Sequence, residues 1–519
     1  MNGGVNMKYL MGLDGGNTSV KAVIFNEKGE TIASARSKAF RFESRGKGFA
    51  EFGVDELGDL AYSCIREAIY KANIDTKDII GIGVTSFGNG LVVLDKDGNS
   101  IAPGAFSQDY RATDIVEKYK ADGILDRINE ITKGSVFAGE PGPILRWFKE
   151  YEPHVYEKIG SILMFKDYIV YRLTGVISTD ANNFGGSNML HTETLEYSKE
   201  LLELYGIPEM YDKLPKLALK PTEIVGIVTE EASMKTGLSA GTPVVAGMMD
   251  VFACLIGAGA TGEGVLTAVG GSWSINLAHS NRLIPNASAN MPYLRKGEYL
   301  HASWSGASGS NYEWFTKVLA GEAKLQAGEK GDFFKVLDEL VASVDIKKVN
   351  VFFHPFAAQP SVHTEAKANI FNADLNTTFA EIAYAVAEGI AFIHKYHMDF
   401  LRSYVNAKKV RFTGGTARSR VIGQIFANVL ELPVEVVDCE EVGALGCAIT
   451  AGVATGVYKD FDDAFEKAVK VLPVINPNPE TFKTYHRRYK EWTLLVEVMT
   501  AYWDKKKQIE AKAQEPTTV

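Results

Sequence analysis

The chain has 519 residues, more than a single hydrophobic core organises, so two large domains are expected. Hydrophobic residues make up 46% and charged residues 23%, the mix of an ordinary globular protein. The formal net charge of −9 argues against a large nucleic-acid surface but leaves room for a small bound anion.

The four cysteines, Cys64, Cys254, Cys439 and Cys447, are not spaced like zinc ligands and are too sparse for a disulfide framework. A reducing cytoplasm is the expected setting. The opening "MNGGVNMKYL" lacks the charged and apolar regions of a signal peptide. No window reaches the roughly 18 uninterrupted apolar residues that a membrane helix needs.

In chain order, "MGLDGGNTSVKAVIFNEKG" places an acid, a glycine pair and two hydroxyls between two apolar runs. "VKAVIFNEKGETIASARS" predicts two strands with a turn at Glu27-Lys28-Gly29. "VDELGDLAYSCIREAIYKA" has helical periodicity, and "IIGIGVTS" is a buried-type strand. Strands followed by helices recur, which predicts an α/β fold. The segment "GTPVVAGMMDVFACLIGAGA" closes the first half. "GEGVLTAVGGSWSINLAHS", residues 262–280, then repeats the opening pattern: apolar strand, glycine pair, hydroxyl, apolar strand. Beyond it lie a long helix in "TTFAEIAYAVAEGIAFIHKYHMDFLRSY", a strand in "KKVRFTGG" and a helix in "SRVIGQIFANVLEL". The expected division is 7–257, 258–505 and a loose, solvated tail over 506–519. Two related domains facing a cleft would bring both glycine turns to its centre.

The opening turn is not a P-loop, because an alternating strand follows it instead of a helix. Its glycines still let backbone N–H groups approach phosphate oxygens, and Thr18, Ser19 and Lys21 can add donors. Asp14 could hold a hydrated magnesium ion. An ordinary hairpin with a polar turn would account for the first stretch alone. The second copy, with Gly270, Gly271 and Ser272, favours one polyphosphate approached from both sides. "RFTGGTARSRVIGQIFANVLELPVEV" combines a strand, the Gly414-Gly415 turn and a helix capped near Ser419, which suits an anionic or nucleotide ligand. A plain βα loop would use the same residues.

Asp250 begins an apolar helix. A carboxylate there is expected to stay ionised and could act as a base or orient a hydroxyl; a simple N-cap is the plainer alternative. Asn89, Gln108, Asp109 and Arg111, in loops after apolar strands, are candidates for binding a polyol. His394 and His397 read as helix surface. His301, beside "ASWSGAS", is the one histidine that could meet a substrate.

Taken together these stretches resemble the FGGY carbohydrate kinases of the actin, hexokinase and heat-shock-protein ATPase superfamily. The resemblance runs from about Lys8 to about Trp503 through "LDGGNTSVKAVIF", "GVTSFGNGLVVLD", "SQDYRA", "LRWFKEYEP", "FKDYIVYRLTG", "GTPVVAGMMD", "AVGGSW", "AVAEGIAF", "RFTGGTARSRVIGQIFANVLELPVEV" and "EEVGALGCAITAGVATG". It implies two actin-like (ribonuclease H-like) domains around a central cleft, with ATP and Mg2+ as co-substrate and cofactor. It implies the metal side at Asp14 and the first phosphate turn at Gly15, Gly16, Asn17, Thr18 and Ser19. Gly271 and Ser272 match the second phosphate turn. Gly414, Gly415, Ser419, Gln424 and Asn428 fall in the adenosine-side motif, with Gly443 to Gly446 in the neighbouring turn. Asp250 would be the catalytic base, with Asp109 next in line. Sugar contacts are implied for Asn89, Gln108, Asp109 and Asp250.

The chain departs from the family at Ile144, where a lysine is usual, and at Asn89, where D-xylulose kinases often carry histidine. "SQDYRA" also replaces a tryptophan-bearing version. The loops are most similar to the branch with L-xylulose and 3-keto-L-gulonate kinases; erythritol and autoinducer-2 kinases are other relatives, and "AVGGSW" is similar to the autoinducer branch. A homodimer is in keeping with the family. The rival expectation is a non-catalytic sugar- or ATP-binding regulator, or a chaperone-like ATPase, on the same fold.

Overall fold

The computed structural model describes residues 7–40, 44–262, 264–321, 324–325, 328, 332–358 and 362–514. The chain opens with β1 (Tyr9–Gly15), β2 (Val20–Asn26) and β3 (Thr31–Arg36), followed by α1 (Val54–Ala72) and β4 (Ile79–Ser86). Further on come α2 (Pro141–Tyr151), α3 (Phe165–Thr174), α4 (Ala181–Gly186), β5 (Ile224–Ile227), β6 (Pro243–Val245) and β7 (Met248–Met249). The helix α5 (Asp250–Gly257) precedes β8 (Val265–Gly270) and β9 (Ser274–Ser280). The last part holds α6 (Phe379–Arg402), β10 (Lys409–Thr413), α7 (Arg420–Leu430), β11 (Val434–Val436), α8 (Val442–Ala454) and α9 (Phe482–Gln514).

The residues form two compact units, and neither is one continuous stretch. The first takes the chain up to Thr261, then Ser280–His301 and Asp438–Lys470; the second takes Gly262–His279, Ala302–Val437 and the chain from Val471 onward. The expected division at 257/258 therefore follows chain order but not packing. The reason is α8, which covers β1 and β4 and packs on α5, so it belongs to the first unit.

In the first unit the sheet runs β5-β6-β4-β1-β2-β3, with β7 also paired to β4. β1 is antiparallel to β2 and parallel to β4. α1 lies against β2 and β3. Central strands covered on both faces need near-continuous apolar runs, and the residues of β1 are buried at every position except Asp14. The helix α8, "VGALGCAITAGVA", is rich in small residues, and its backbone comes down onto the sheet. A methyl group on Gly12 would meet the carbonyl oxygen of Ala444 at 1.9 Å.

In the second unit β8 is antiparallel to β9 and parallel to β10, and β10 is parallel to β11. The arrangement around β8 thus copies that around β1, as the repeated glycine pattern predicts. Ser419 caps α7 by accepting the N–H of Ile422 at 3.0 Å. α6 starts with a capping box of Thr378 and Glu381. Two expectations need correction here. His394 and His397 are buried, because α6 has core on both sides; the ring of His394 meets Asn276 and Ser308, and that of His397 meets Ser303 and Ser305. The helix α9 runs through Gln514, across most of the segment expected to be loose, and 515–519 lie outside the described residues. Among the described residues no helix is long and apolar enough to cross a membrane.

Candidate active site

The first glycine turn is a tight four-residue connection. β1 ends with Gly15 opposite Val20, and the N–H of Gly16 donates to the carbonyl of Ser19 at 3.0 Å. Thr18 points to solvent, Ser19 is buried, and the buried Oδ1 of Asn17 has no hydrogen-bond partner among the described residues. An unpartnered buried acceptor is uncommon in a finished fold.

Asp14 stands opposite Lys21 across the β1–β2 ladder. Lys21 is committed to Glu441 at 2.5 Å, and Arg36 adds a second contact to the same carboxylate at 3.3 Å. The Asp14 carboxyl lies at the N-terminal end of α8: a methyl on Gly443 would sit 3.3 Å from its Oδ2 and 3.6 Å from the Cys254 sulfur. Burial raises Asp14 above the ordinary carboxylate range, while Lys21 opposes the rise.

Asp250 is the first residue of α5, and Met249 holds the capping position with no side-chain bond. Its Oδ1 accepts the N–H of Val251 at 2.7 Å. Burial, and then repulsion from Asp14, push its carboxyl up to about 7. The expectation that it stays ionised because it starts a helix is therefore corrected. The helix-end field is worth about 0.3–1 kcal/mol, and desolvation exceeds it. Asp14, beside the first glycine turn, and Asp250 therefore lie close enough for their charges to repel.

Two further groups hold Asp250 in place. Thr85 donates its hydroxyl to the carbonyl of Met248 at 2.8 Å. Lys166 is fully buried, reaches the carbonyl of Ala246 at 2.6 Å, and is neutralised by Asp167 at 2.7 Å and Asp180 at 2.8 Å. The sequence quotes this lysine in "FKDYIVYRLTG" but gives it no role, since its burial between two acids exists only in the folded chain.

The polyol candidates separate. Asn89 sits in a left-handed conformation (φ 66°), and its buried Oδ1 has no partner among the described residues. Gln108 is exposed. Asp109 is a correction: it is fully buried and saturated, accepting from the N–H of Ala50 at 2.9 Å and from the Arg111 side chain at 2.8 Å on both oxygens. Arg111 extends the network to Glu51 at 2.6 Å. A carboxylate so engaged is neither a free base nor a free sugar ligand. His301 is likewise buried and bonded at both ring nitrogens, to Ser280 at 2.8 Å and Asn290 at 2.7 Å.

In the second unit the structure brings the second glycine turn and the 414 loop together. Thr416 donates to the carbonyl of Gly270 at 3.0 Å. Gly414 has φ 93° and fits where a methyl would meet Gly270 at 2.7 Å. The carbonyl of Gly271 is fixed by the N–H of Gly309 at 2.7 Å, and Ser272 is exposed. Gly415 is open to solvent. Ser419 also donates to Asp338 at 2.7 Å. Gln424 donates to Asn428 at 3.0 Å and to the carbonyl of Asn476 at 2.9 Å, so these two amides tie α7 to the neighbouring loop.

Comparison with known proteins agrees with this geometry. Residues 9–257 match the N-terminal domain, and residues 266–455 the C-terminal domain, of the FGGY family of carbohydrate kinases. The L-xylulose/3-keto-L-gulonate kinase of Escherichia coli (strain K12) is 30% identical, covering 95% of this chain and 98% of that protein. An autoinducer-2 kinase of Yersinia enterocolitica is 29% identical, covering 93% of each. The crystal structure of xylulose kinase from Rhodospirillum rubrum matches with a TM-score of 0.86 at 25% identity, covering 96% of this chain and 100% of that one. The two-domain α/β chain described above belongs to the FGGY family of carbohydrate kinases and is a sugar phosphotransferase.

Proposed function

We propose that this chain transfers the γ-phosphoryl group of ATP to a hydroxyl of a small ketose, with L-xylulose or a related sugar acid preferred and Asp250 as general base. The observation that carries the reading is the Asp14–Asp250 pair beside the glycine turn, with Asp250 at about 7. A base is most effective when its pKa lies near the working pH. Ionised Asp250 accepts the proton of the attacking hydroxyl, and its backbone is fixed through Thr85 and Lys166, so the geometry is set before substrate arrives.

Asp14 fits a magnesium ion. It is a partly exposed carboxylate whose charge is unfavourable as it stands, and a cation relieves that. Among the described residues no group of three or more His, Cys, Asp or Glu could hold a metal. That suits an ion held by one or two carboxylates, water and phosphate oxygens. When bound, it would neutralise phosphate charge. Gly15–Ser19 and Gly271–Ser272 then serve the phosphates, and Gly414–Gly415 with Ser419 the adenosine side. In this reading Gln424 and Asn428 shape that side by holding α7.

The substrate preference rests on the similarity to the L-xylulose kinase and on Asn89 and "SQDYRA". A second reading, phosphorylation of autoinducer-2, is favoured by the 29% identity to such a kinase. A cytoplasmic enzyme is the corresponding setting. A homodimer is proposed as well, since α9 leaves Leu494, Val498 and Tyr502 more than half exposed at helical spacing. The test of the function is ADP release from ATP and Mg2+ with L-xylulose, 3-keto-L-gulonate, D-xylulose, glycerol, erythritol, autoinducer-2 or no acceptor. Turnover should require an acceptor and show the highest kcat/KM for L-xylulose or the sugar acid. Preference for D-xylulose or glycerol sinks the substrate reading, and acceptor-independent ADP release sinks the kinase reading.

A further inference from the structure

His394 is a buried side chain on α6 that the transfer chemistry leaves unused. Its two ring nitrogens meet partners on other elements of the second unit: Nδ1 lies 2.7 Å from Asn276 Oδ1, and Nε2 lies 3.1 Å from Ser308 Oγ. The amide nitrogen of Asn276 faces the carbonyl of Ser303 at 3.2 Å, and a carbonyl can only accept. The amide oxygen therefore faces the ring, and Nδ1 carries hydrogen. Burial also pushes the ring down to about 3, so Nε2 accepts and the Ser308 hydroxyl donates.

Ser308 precedes the helix Gly309–Val318, where a serine hydroxyl ordinarily accepts a backbone N–H of the first turn. Here it makes no such bond. The side chain is fully buried and turned to His394, and its backbone (φ −129°, ψ −118°) is not the extended form of a capping serine. The first N–H groups of the helix go to the second glycine turn instead. That of Gly309 donates to the carbonyl of Gly271 at 2.7 Å, and that of Ser310 to the carbonyl of Ser272 at 3.4 Å. The Ser310 hydroxyl reaches the same Ser272 carbonyl at 2.9 Å. The approach is close, since a methyl on Gly309 would lie 2.4 Å from the Gly271 oxygen.

In a planar trans peptide the C=O and the following N–H point in opposite directions. With both carbonyls on the helix, the N–H groups of Ser272 and Trp273 point away from it, on an exposed turn. Successive backbone N–H groups aimed in this way form a concavity for an anion. The far end of the turn is tied to the same ring. Ser274, the first residue of β9, lies 3.1 Å from the Asn276 amide nitrogen.

We propose that His394 and Ser308 are positioning residues for ATP: the ring holds the Ser308 hydroxyl off the helix N-terminus, the carbonyls of the second glycine turn bind there instead, and the N–H groups of Ser272 and Trp273 are thereby aimed at the phosphates. This rests on the sugar kinase reading and names what shapes its second phosphate turn. Without the ring's acceptor a buried hydroxyl must find another partner. The N–H groups of its own helix are the local choice, so it competes with the turn for them.

The test is steady-state kinetics with ATP and the best ketose of the panel. An asparagine side chain reaches the place of Nδ1 and a glutamine that of Nε2, so His394→Asn keeps Asn276 and releases Ser308, and His394→Gln does the reverse. His394→Asn should raise the ATP KM about fivefold or more, with the ketose KM unchanged. His394→Gln should hold the ATP KM within about twofold of wild type. Ser308→Ala in the His394→Asn background should restore the ATP KM, because no hydroxyl remains to compete. A merely structural histidine would lower the melting temperature in both single variants and leave the ATP KM alone. Folded His394→Asn with an ATP KM within about twofold of wild type overturns the proposal, as does an equal rise for the ketose or a failure of Ser308→Ala to restore. If His394→Asn does not fold, Gly309→Ala, which pushes the helix off the turn, decides: an unchanged ATP KM there overturns the proposal. A wild type with no sugar-dependent turnover sinks the kinase reading and the proposal with it, a result distinct from an active wild type with indifferent variants.

Discussion

At Asp250 one side chain carries both a kinetic and a stability consequence. Its carboxyl rises from the ordinary 3.8 to about 7 through burial and then the Asp14 charge. As the proposed base it works only when ionised, so kcat/KM should fall as pH drops below about 7. Asp250→Asn keeps the shape but takes no proton, and kcat should fall about 100-fold to 10,000-fold with ATP affinity unchanged. Stability has the opposite dependence. The folded state binds the proton more tightly than the unfolded state, so the contribution is favourable at low pH and is lost as pH rises from about 4 to about 7. Above that the charged form costs at most about 4 kcal/mol, the rise from 3.8 to about 7 converted. Asp250→Asn should therefore melt close to wild type at pH 4 and higher than wild type at pH 8. A melting difference that does not change with pH would show that the carboxyl is not raised. The strand–turn–strand unit around Gly15–Ser19 was legible because glycine, acid and hydroxyl after an apolar strand form a local pattern. The full engagement of Asp109 was not legible because Ala50 and Glu51, which complete its network with the adjacent Arg111, come to it only on folding. Lys166 was missed because burial of a charged group leaves no mark in local sequence.

Among the elements, the repeated strand–turn–strand units show what periodicity and turn chemistry determine. β1–β2 and β8–β9 form antiparallel pairs around glycine turns, each with a parallel third strand, as the two quoted stretches imply. What the pattern could not give is which helix covers which sheet. α8 follows β11 in the chain yet packs on α5 and β1. The contact is backbone on backbone: a methyl on Gly446 would meet the carbonyl of Ala253 at 1.9 Å, and one on Gly257 the carbonyl of Val442 at 1.9 Å. Since Asp250 starts α5 and Asp14 lies at the N-terminal end of α8, this crossing sets the spacing of the two acids. Gly446→Ala forces the helices apart, and overpacking of this kind costs about 1–3 kcal/mol or more. Urea unfolding should show that loss together with a reduced kcat. Gly262→Ala, where a methyl meets nothing within 4 Å, should change neither. Wild-type kcat in a destabilised Gly446→Ala would separate the crossing from the chemistry.

For the whole molecule, the discontinuous first unit has a consequence that a division at 257/258 conceals. Residues 438–470 return to it and supply α8, with Ala444, Leu445, Cys447, Ala448, Ile449 and Ala451 buried. Without them the face of β1 and β4 around Gly12 and Gly83, which meets Ala444 and Cys447, lies open to water. Residues 280–301 add the carbonyls of Pro292 and Tyr293 that accept from Asn182, at 2.6 and 3.1 Å. Composition and motif order place the boundary by sequence adjacency, and neither return is visible in them. A fragment of 7–261 should therefore fail to fold as a unit. Its exposed apolar face should bind a hydrophobic dye, and its thermal transition should be broad. Appending 438–470 through a flexible linker of about 15 residues, long enough to pass along a helix of this length, should sharpen the transition and reduce dye binding. The same linker carrying 438–470 with Gly446→Ala should do so less, because the returning helix then cannot seat against α5. Calorimetry on these three proteins decides the point. A sharp transition in 7–261 alone would mean that the first unit holds its core without α8, and that the sequence boundary is the physical one.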